Sequence, residues 1–181
     1  IVNGFITSGG QKKSKSLGNV ISPVSIVSEY GADALRYYFA RELNPFEDSD
    51  FTMDKFKDVY NANLANGLGN LTSRIIKMSE TYLEKPVHSE ERFIFPKEFS
   101  ENIEKFELNK AMDFIWQKIG EADSYIQKNQ PFKVIKENKE EGKRMITHLV
   151  RELSDIADLL QIFMPNTSDN IKKAIRENKM P

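Results

Sequence analysis

Apolar residues recur at every third or fourth position over most of the chain beyond residue 51, which is the period of one face of an α-helix. The predicted helices cover residues 52–85, about 98–105, about 108–129, about 140–163 and a last segment capped by Thr167 or Ser168. Gly67 and Gly69 lie inside the first of them, where they indicate a kink or a close helix crossing. Long amphipathic helices joined by short loops form antiparallel bundles. The pattern therefore predicts such a bundle over residues 52–181.

The first 51 residues show a mixed pattern. The predicted elements are a strand or hairpin arm over residues 1–10, a helix from Pro23 that Gly31 can terminate, a second helix from Asp33 to about Glu42, and an acidic loop over residues 47–50. We therefore expect a mainly α chain, in which a small α/β segment (residues 1–51) precedes an antiparallel α-helical bundle (residues 52–181).

Composition excludes several classes of protein. The 181 residues carry 26 basic and 27 acidic side chains, so no overall positive field attracts nucleic acid and any RNA contact must be local. The chain has no cysteine, and its two histidines, His88 and His148, lack zinc-motif spacing, so no metal site is predicted. No apolar run is long enough to span a membrane, and the amino end does not resemble a signal peptide. These features predict a cytoplasmic protein without a membrane partner.

A loop rich in lysine, serine and glycine follows the first predicted strand. It contains Lys12, Ser14, Lys15 and Ser16 within the sequence QKKSKSLG. Clustered ammonium groups and hydroxyls in a glycine-flanked loop suit a polyanion such as a triphosphate. The P-loop pattern is absent from the sequence. On composition alone, such a loop is more often a solvated surface turn than a phosphate site.

The order of the residues in this loop resembles a known signature. KKSKS at residues 12–16 is similar to the K-M-S-K-S loop of class I aminoacyl-tRNA synthetases, and YGADALRYY at residues 30–38 resembles its continuation in the methionyl, isoleucyl, leucyl and valyl enzymes. The resemblance implies that ATP, with Mg²⁺, is bound by Lys12, Ser14, Lys15 and Ser16. It also implies a catalytic role for Lys12 and Lys15, which would stabilise the charge of the departing pyrophosphate. Lys13 stands where the signature has methionine and is expected to stay in water, which leaves the closure of the loop open.

A second group of polar residues lies on the first long helix. Asn70 and Arg74 are four residues apart and share one face, where amide and guanidinium groups can hydrogen-bond base edges. Polar residues on an amphipathic helix more often form a solvated face. LANGLGNLTSR at residues 64–74 resembles the opening of the anticodon-binding bundle of methionyl-tRNA synthetases, and residues 122–133 resemble a later helix end of that family. The resemblance implies that Asn70 and Arg74 contact anticodon bases and that Phe132 replaces a base-stacking tryptophan.

Together the resemblances imply the carboxy-terminal part of a methionyl-tRNA synthetase, an enzyme that activates methionine with ATP and transfers it to tRNA(Met). Residues 1–51 would then end the catalytic domain and include the stem-contact region, and residues 52–181 would bind the anticodon. The chain contains no H-x-G-H signature, so we expect the nucleotide-binding catalytic domain to precede residue 1. The isolated chain is expected to be inactive and to bind no cofactor alone.

Two alternatives remain open at this point. The loop signature and residues 30–38 are shared with the valyl, isoleucyl and leucyl enzymes, although the short acidic connector and the GNLTSR sequence favour methionine. The second alternative is a free-standing tRNA-binding module without catalysis. Such a module would also lack a catalytic domain, but it has no use for the lysine-rich loop.

Overall fold

The structure is a computed structural model that describes residues 4–7, 22–44, 46–87 and 92–180. Its helices and strands are, in chain order, β1 (Ile6–Thr7), α1 (Pro23–Tyr30), α2 (Ala32–Glu42), β2 (Ser49–Asp50), α3 (Met53–Val59), a π-helical segment (Tyr60–Gly69), α4 (Asn70–Tyr82), α5 (Lys97–Glu104), α6 (Leu108–Asn129), α7 (Pro131–Glu137), α8 (Lys139–Leu160) and α9 (Pro165–Glu177). Helices thus dominate the described part of the chain, which confirms the predicted mainly α class.

Contacts divide the chain into two compact units. The first lies within Ile1–Ala65 and Pro96–Phe114, and the second within Asn66–Phe95 and Ile115–Pro181. The functional boundary expected between residues 51 and 52 stays a prediction, because these units group residues by contact and not by role.

A two-stranded parallel sheet belongs to the first unit. Ile6 pairs with Ser49 and Thr7 with Asp50, and the amide of Phe51 donates to the carbonyl of Thr7 at 3.1 Å. The prediction of a loop over residues 47–50 is therefore wrong for Ser49 and Asp50. Their strand is formed by pairing with residues far away in the sequence, which no local pattern could reveal.

Aromatic rings fill the core of the first unit. Tyr38 is fully buried, and its ring centroid lies 5.1 Å from that of Phe51 and 5.5 Å from that of Phe56. Tyr30 meets Phe56 edge to face at 5.2 Å. The apolar positions of α1, α2 and α3 each supply rings or aliphatic side chains to this cluster, and edge-to-face contacts of this kind add to the gain from burial.

Helix α8 is the centre of the second unit, where it packs against α4, α7 and α9. Lys143 near its start pairs with Glu84, just after the end of α4, at 2.9 Å. Ser168 in the first turns of α9 donates from Oγ to the carbonyl of Ala157, near the end of α8, at 2.6 Å. Helix α8 is therefore antiparallel to α4 and to α9, as the bundle prediction requires. No helix of the described segments is long and apolar enough to cross a membrane.

The first long helix is interrupted in a way that the sequence did not predict. Between α3 and α4 the chain forms a π-helical segment of 10 residues, Tyr60–Gly69. Both Gly67 and Gly69 belong to it. Each glycine lowers the stability of the α-helical conformation by about 1 kcal/mol relative to alanine. The π-helical turn is therefore less disfavoured relative to the α-helical turn in this segment.

Two helix starts also differ from expectation. Pro131 ends α6 as predicted but also opens a new helix, α7, because proline suits the first helical position. Helix α9 begins at Pro165 and not after a cap at Thr167 or Ser168. Ser168 is instead buried, with its hydroxyl bonded to α8.

Candidate nucleic-acid interface

The lysine-rich loop lies outside the described residues. Lys12, Ser14, Lys15 and Ser16 therefore have no described geometry, and their predicted roles in ATP binding and catalysis stay predictions. The other three predicted site residues, Asn70, Arg74 and Phe132, all fall in the second unit.

Helix α4 has two clearly different sides. Leu71, Ile75 and Met78 are buried, which is the spacing of a helix face that packs into a core. Asn70 and Arg74 are exposed beside this buried face, one helical turn apart, and Arg74 lies one turn before Met78. The apolar spacing thus fixes both predicted contact residues at the surface, as the sequence suggested.

An open groove with a volume of about 410 Å³ runs along the exposed side of α4. Its lining residues come from three helices: Ser73, Arg74, Lys77, Met78, Thr81 and Tyr82 from α4, Ile126 from α6 and Phe132 from α7. The fold thus brings together Arg74 and Phe132, which were predicted from separate parts of the sequence. Asn70 does not line the groove but lies one turn before Arg74 on the same helix.

The position of Phe132 depends on a short turn and on the packing of α7. Gln130 has a left-handed backbone with φ of 46°, which separates α6 from α7. Pro131 is buried next to it, and Phe132 remains 39% exposed at the groove. A half-exposed ring on a short, well-packed helix is suited to stacking on an unpaired base.

Arg74 is held by a neighbour that the sequence reasoning missed. Its Nη1 donates to Oδ1 of Asp123 on α6, and the other carboxylate oxygen of Asp123 accepts from the amide of Gln127. The side chains of Arg74 and Asp123 are 42% and 35% exposed. Asp123 and Gln127 are four residues apart on one helix, a spacing that could have indicated the pair.

Lys77 adds a second cation to the groove. It lies three residues after Arg74, and its ammonium pairs with Glu80 of the same helix at 3.2 Å. Pairs of this kind at an exposed helix surface are weak, so Lys77 can exchange its partner for a phosphate at little cost. No cluster of His, Asp and Glu that could hold a metal ion occurs among the residues described. The groove combines cations with apolar and aromatic walls, which suits a single-stranded nucleotide better than a metal or a small anion.

Known proteins resemble this chain over almost its whole length. Methionine–tRNA ligase of Clostridium acetobutylicum is 34% identical in an alignment of 184 positions, gaps included, which covers 94% of this chain and 29% of the relative. Methionine–tRNA ligase of Ureaplasma parvum is 33% identical in an alignment of 189 positions, which covers 97% of this chain and 36% of the relative. The chain is thus homologous to part of the methionyl-tRNA synthetases.

The predicted resemblance to methionyl-tRNA synthetases is thereby confirmed. A methionyl-tRNA synthetase of Mycobacterium tuberculosis, solved in complex with methionyl-adenylate, superposes with a TM-score of 0.77 at 27% identity and covers 94% of this chain. The family described as class I tRNA synthetases (M) matches residues 1–76. This chain spans 36% of the M. tuberculosis structure, and it likewise spans about a third of the curated synthetases that it matches.

Proposed function

We propose that the intact protein is a methionine–tRNA ligase with ATP, methionine and tRNA(Met) as substrates. In the first step the methionine carboxylate attacks the α-phosphorus of ATP, which forms methionyl-adenylate and releases pyrophosphate. In the second step a hydroxyl of the terminal ribose of the tRNA attacks the methionyl carbonyl carbon and releases AMP. Support comes from the family and from the M. tuberculosis relative, whose structure holds methionyl-adenylate. The protein would act in the cytoplasm.

The lysine-rich loop would serve the first step. Negative charge accumulates on the β- and γ-phosphates as pyrophosphate leaves, and positioned cations lower the energy of that transition state. Lys12 and Lys15 would supply this charge, while Ser14 and Ser16 would hydrogen-bond the phosphates. Mg²⁺ would neutralise further phosphate charge. Lys13, in place of methionine, would remain solvated and leave the loop without an apolar anchor.

The 181-residue chain would not catalyse either step by itself. It has no H-x-G-H sequence, and the catalytic domain that carries the methionine pocket in such enzymes would stand before residue 1. Residues 1–51 would complete that domain, and residues 52–181 would bind tRNA. The purified chain should show no exchange between ATP and labelled pyrophosphate, and robust exchange would contradict this assignment.

The bundle would recognise the anticodon. The observation that carries this proposal is the groove, because Arg74 and Phe132 line it together although their helices are far apart in the sequence. Phe132 would stack on an unstacked anticodon base, and the guanidinium of Arg74 would hydrogen-bond a base edge or a phosphate. Asn70, one turn away, would contact a neighbouring base.

Binding of tRNA transcripts tests this role directly. A transcript with the anticodon CAU and one with an altered anticodon are compared at one fixed low salt concentration, because phosphate contacts alone change affinity strongly with salt. We expect a preference for CAU that Arg74→Ala or Asn70→Ala abolishes. Arg176→Ala in α9 is the matched control, since it removes the same charge from an exposed helix position outside the groove lining. Equal binding of both transcripts by the unmodified chain would refute anticodon recognition while leaving the family assignment in place.

A further inference from the structure

The carboxylate of Asp123 contacts two side chains at the edge of the groove, one on each of its oxygens. Oδ1 accepts from Nη1 of Arg74, and Oδ2 accepts from Nε2 of Gln127. Gln127 thereby fixes the plane of the carboxylate, and the carboxylate fixes one arm of the guanidinium fork. The other N–H donors of Arg74 are then left in a defined direction.

Without such a contact, Arg74 would move among many rotamers. Its side chain is 42% exposed and emerges from the outer side of α4, where solvent offers no fixed partner. An unrestrained arginine loses much of its rotamer entropy when it binds a ligand in one geometry. A residue that holds the fork in advance reduces that loss, and it also restricts which acceptors the free donors can reach.

The ion pair between Arg74 and Asp123 is not needed for folding. Half-exposed ion pairs contribute little to folding stability, because solvent screens them. The second unit already has a buried core, to which α4 contributes Leu71, Ile75 and Ile76 and α6 contributes Ile119 and Ile126. Neither partner of the pair is needed to fill that core.

We infer that Asp123 is a positioning residue for RNA recognition: it orients Arg74 at the groove and so determines how well this protein distinguishes one anticodon from another. The inference rests on the proposed function, since it concerns the same groove. Asp123 is not itself expected to contact RNA, because its carboxylate would repel phosphate and both of its oxygens already accept hydrogen bonds.

The test uses Asp123→Ala in the 181-residue chain, with the CAU transcript and the altered transcript at fixed low salt. We expect the ratio of the two affinities to fall about fivefold, the size that corresponds to an exposed ion pair. Affinity for the altered transcript should not fall, since loss of a carboxylate cannot weaken attraction to phosphate. A folding defect would instead lower both affinities together. Asp169→Ala, at an exposed position of α9, is the matched control and should leave the ratio unchanged.

A double-mutant cycle shows whether Asp123 acts through Arg74. In the Arg74→Ala background, Asp123→Ala should change the ratio no further, because the residue that it orients is gone. Additive effects of the two substitutions, or an unchanged ratio in Asp123→Ala alone, would overturn the inference. If Arg74→Ala itself leaves the ratio unchanged, then the proposed anticodon recognition fails, which is a different result. Asp123→Glu provides a last check, since it keeps the charge but moves it by one methylene and should restore only part of the ratio.

Discussion

Gly142 of α8 lies directly against the backbone of Ile135 in α7. A Cβ atom at position 142 would stand 2.4 Å from the Cα and 2.5 Å from the Cβ of Ile135. No side chain fits in that space, so α7 can approach α8 this closely only because residue 142 is glycine. Phe132 belongs to the same short helix, and its place at the groove therefore depends on a residue that does not touch the groove.

Replacement of Gly142 by alanine should weaken both folding and RNA binding. We expect a loss of about 1–3 kcal/mol in the free energy of unfolding, measured with urea, because the backbone of α7 must shift to admit the methyl group. The affinity for a CAU transcript should fall as well, since Phe132 moves with α7. Gly120→Ala in α6 is the matched control, because its Cβ would meet no described atom within 4 Å. That variant should gain about 0.5–1 kcal/mol, and equal stability of the two variants would contradict the packing argument.

The sequence predicted most of the bundle because its helices follow one periodic signal. Helix α6 has the predicted bounds of residues 108–129, since its apolar stripe is regular and Pro131 ends it. The sequence does not reveal α7, because a helix of 7 residues is too short to show a clear apolar period and Pro131 also ends the preceding helix. The pairing of β1 with β2 was missed because two-residue strands carry no alternation at all.

For the candidate site too, the sequence identifies single residues, but only the fold shows which of them lie together. Arg74 and Phe132 were identified by resemblance, yet only the fold shows that they line one groove. Asp123 was not identified, because its role follows from a contact between α4 and α6 and not from either helix alone. Lys12 and its neighbours lie outside the described residues, so their roles rest on the sequence signature.

The two adjacent tyrosines of α2 should respond to loss of the hydroxyl with opposite sign. The hydroxyl of Tyr38 is buried without a hydrogen-bond partner among the described residues, whereas that of Tyr37 accepts from Nη1 of Arg41 at 2.8 Å. Tyr38→Phe should therefore raise stability at pH 8 by about 1 kcal/mol, and Tyr37→Phe should lower it by a similar amount. Urea unfolding of both variants measures the difference, and a clear loss in Tyr38→Phe would reveal an unrecognised partner of that hydroxyl.

Alkaline pH provides a separate test of the buried tyrosine. Burial, and then the nearby carboxylates of Glu42 and Asp50, raise the pKa of Tyr38 to about 12, against 10.0 for an unfolded chain. Folding thus favours the neutral phenol. The stability that the folded state gains while the phenol is neutral is fully present below pH 10 and is lost as the pH rises towards 12. The stability advantage of Tyr38→Phe over the unmodified chain should therefore grow between pH 10 and pH 11. A constant difference over that interval would mean that the phenol ionises equally in both states.

Asn178 joins the end of α9 to the end of α4, and its substitutions should separate two effects. Its backbone is left-handed with φ of 49°, and its side chain accepts from the hydroxyl of Ser79 and donates to the carbonyl of Leu83 at 3.5 Å. Asn178→Gly loses the side-chain hydrogen bonds, but glycine adopts the left-handed backbone without strain. Asn178→Ala loses the same hydrogen bonds and also strains the backbone. We expect alanine to be less stable than glycine by about 1 kcal/mol, as measured by urea unfolding. Equal values would show that the backbone conformation costs nothing at this position.

Phe132→Trp should strengthen recognition at the groove, because indole offers a larger stacking face and an N–H donor. Stacking of one base on an aromatic ring contributes about 1–3 kcal/mol, so Phe132→Leu should reduce affinity for the CAU transcript by at least about fivefold. The new tryptophan also gives a local signal: in a Trp116→Phe background, its fluorescence should be quenched by the CAU transcript at lower concentration than by the altered one. If neither transcript changes the fluorescence of this tryptophan, the bound RNA lies away from position 132. A second result would complete that conclusion: undiminished affinity of Phe132→Leu for the CAU transcript. The affinity would then come from phosphate contacts with Arg74 and Lys77 alone.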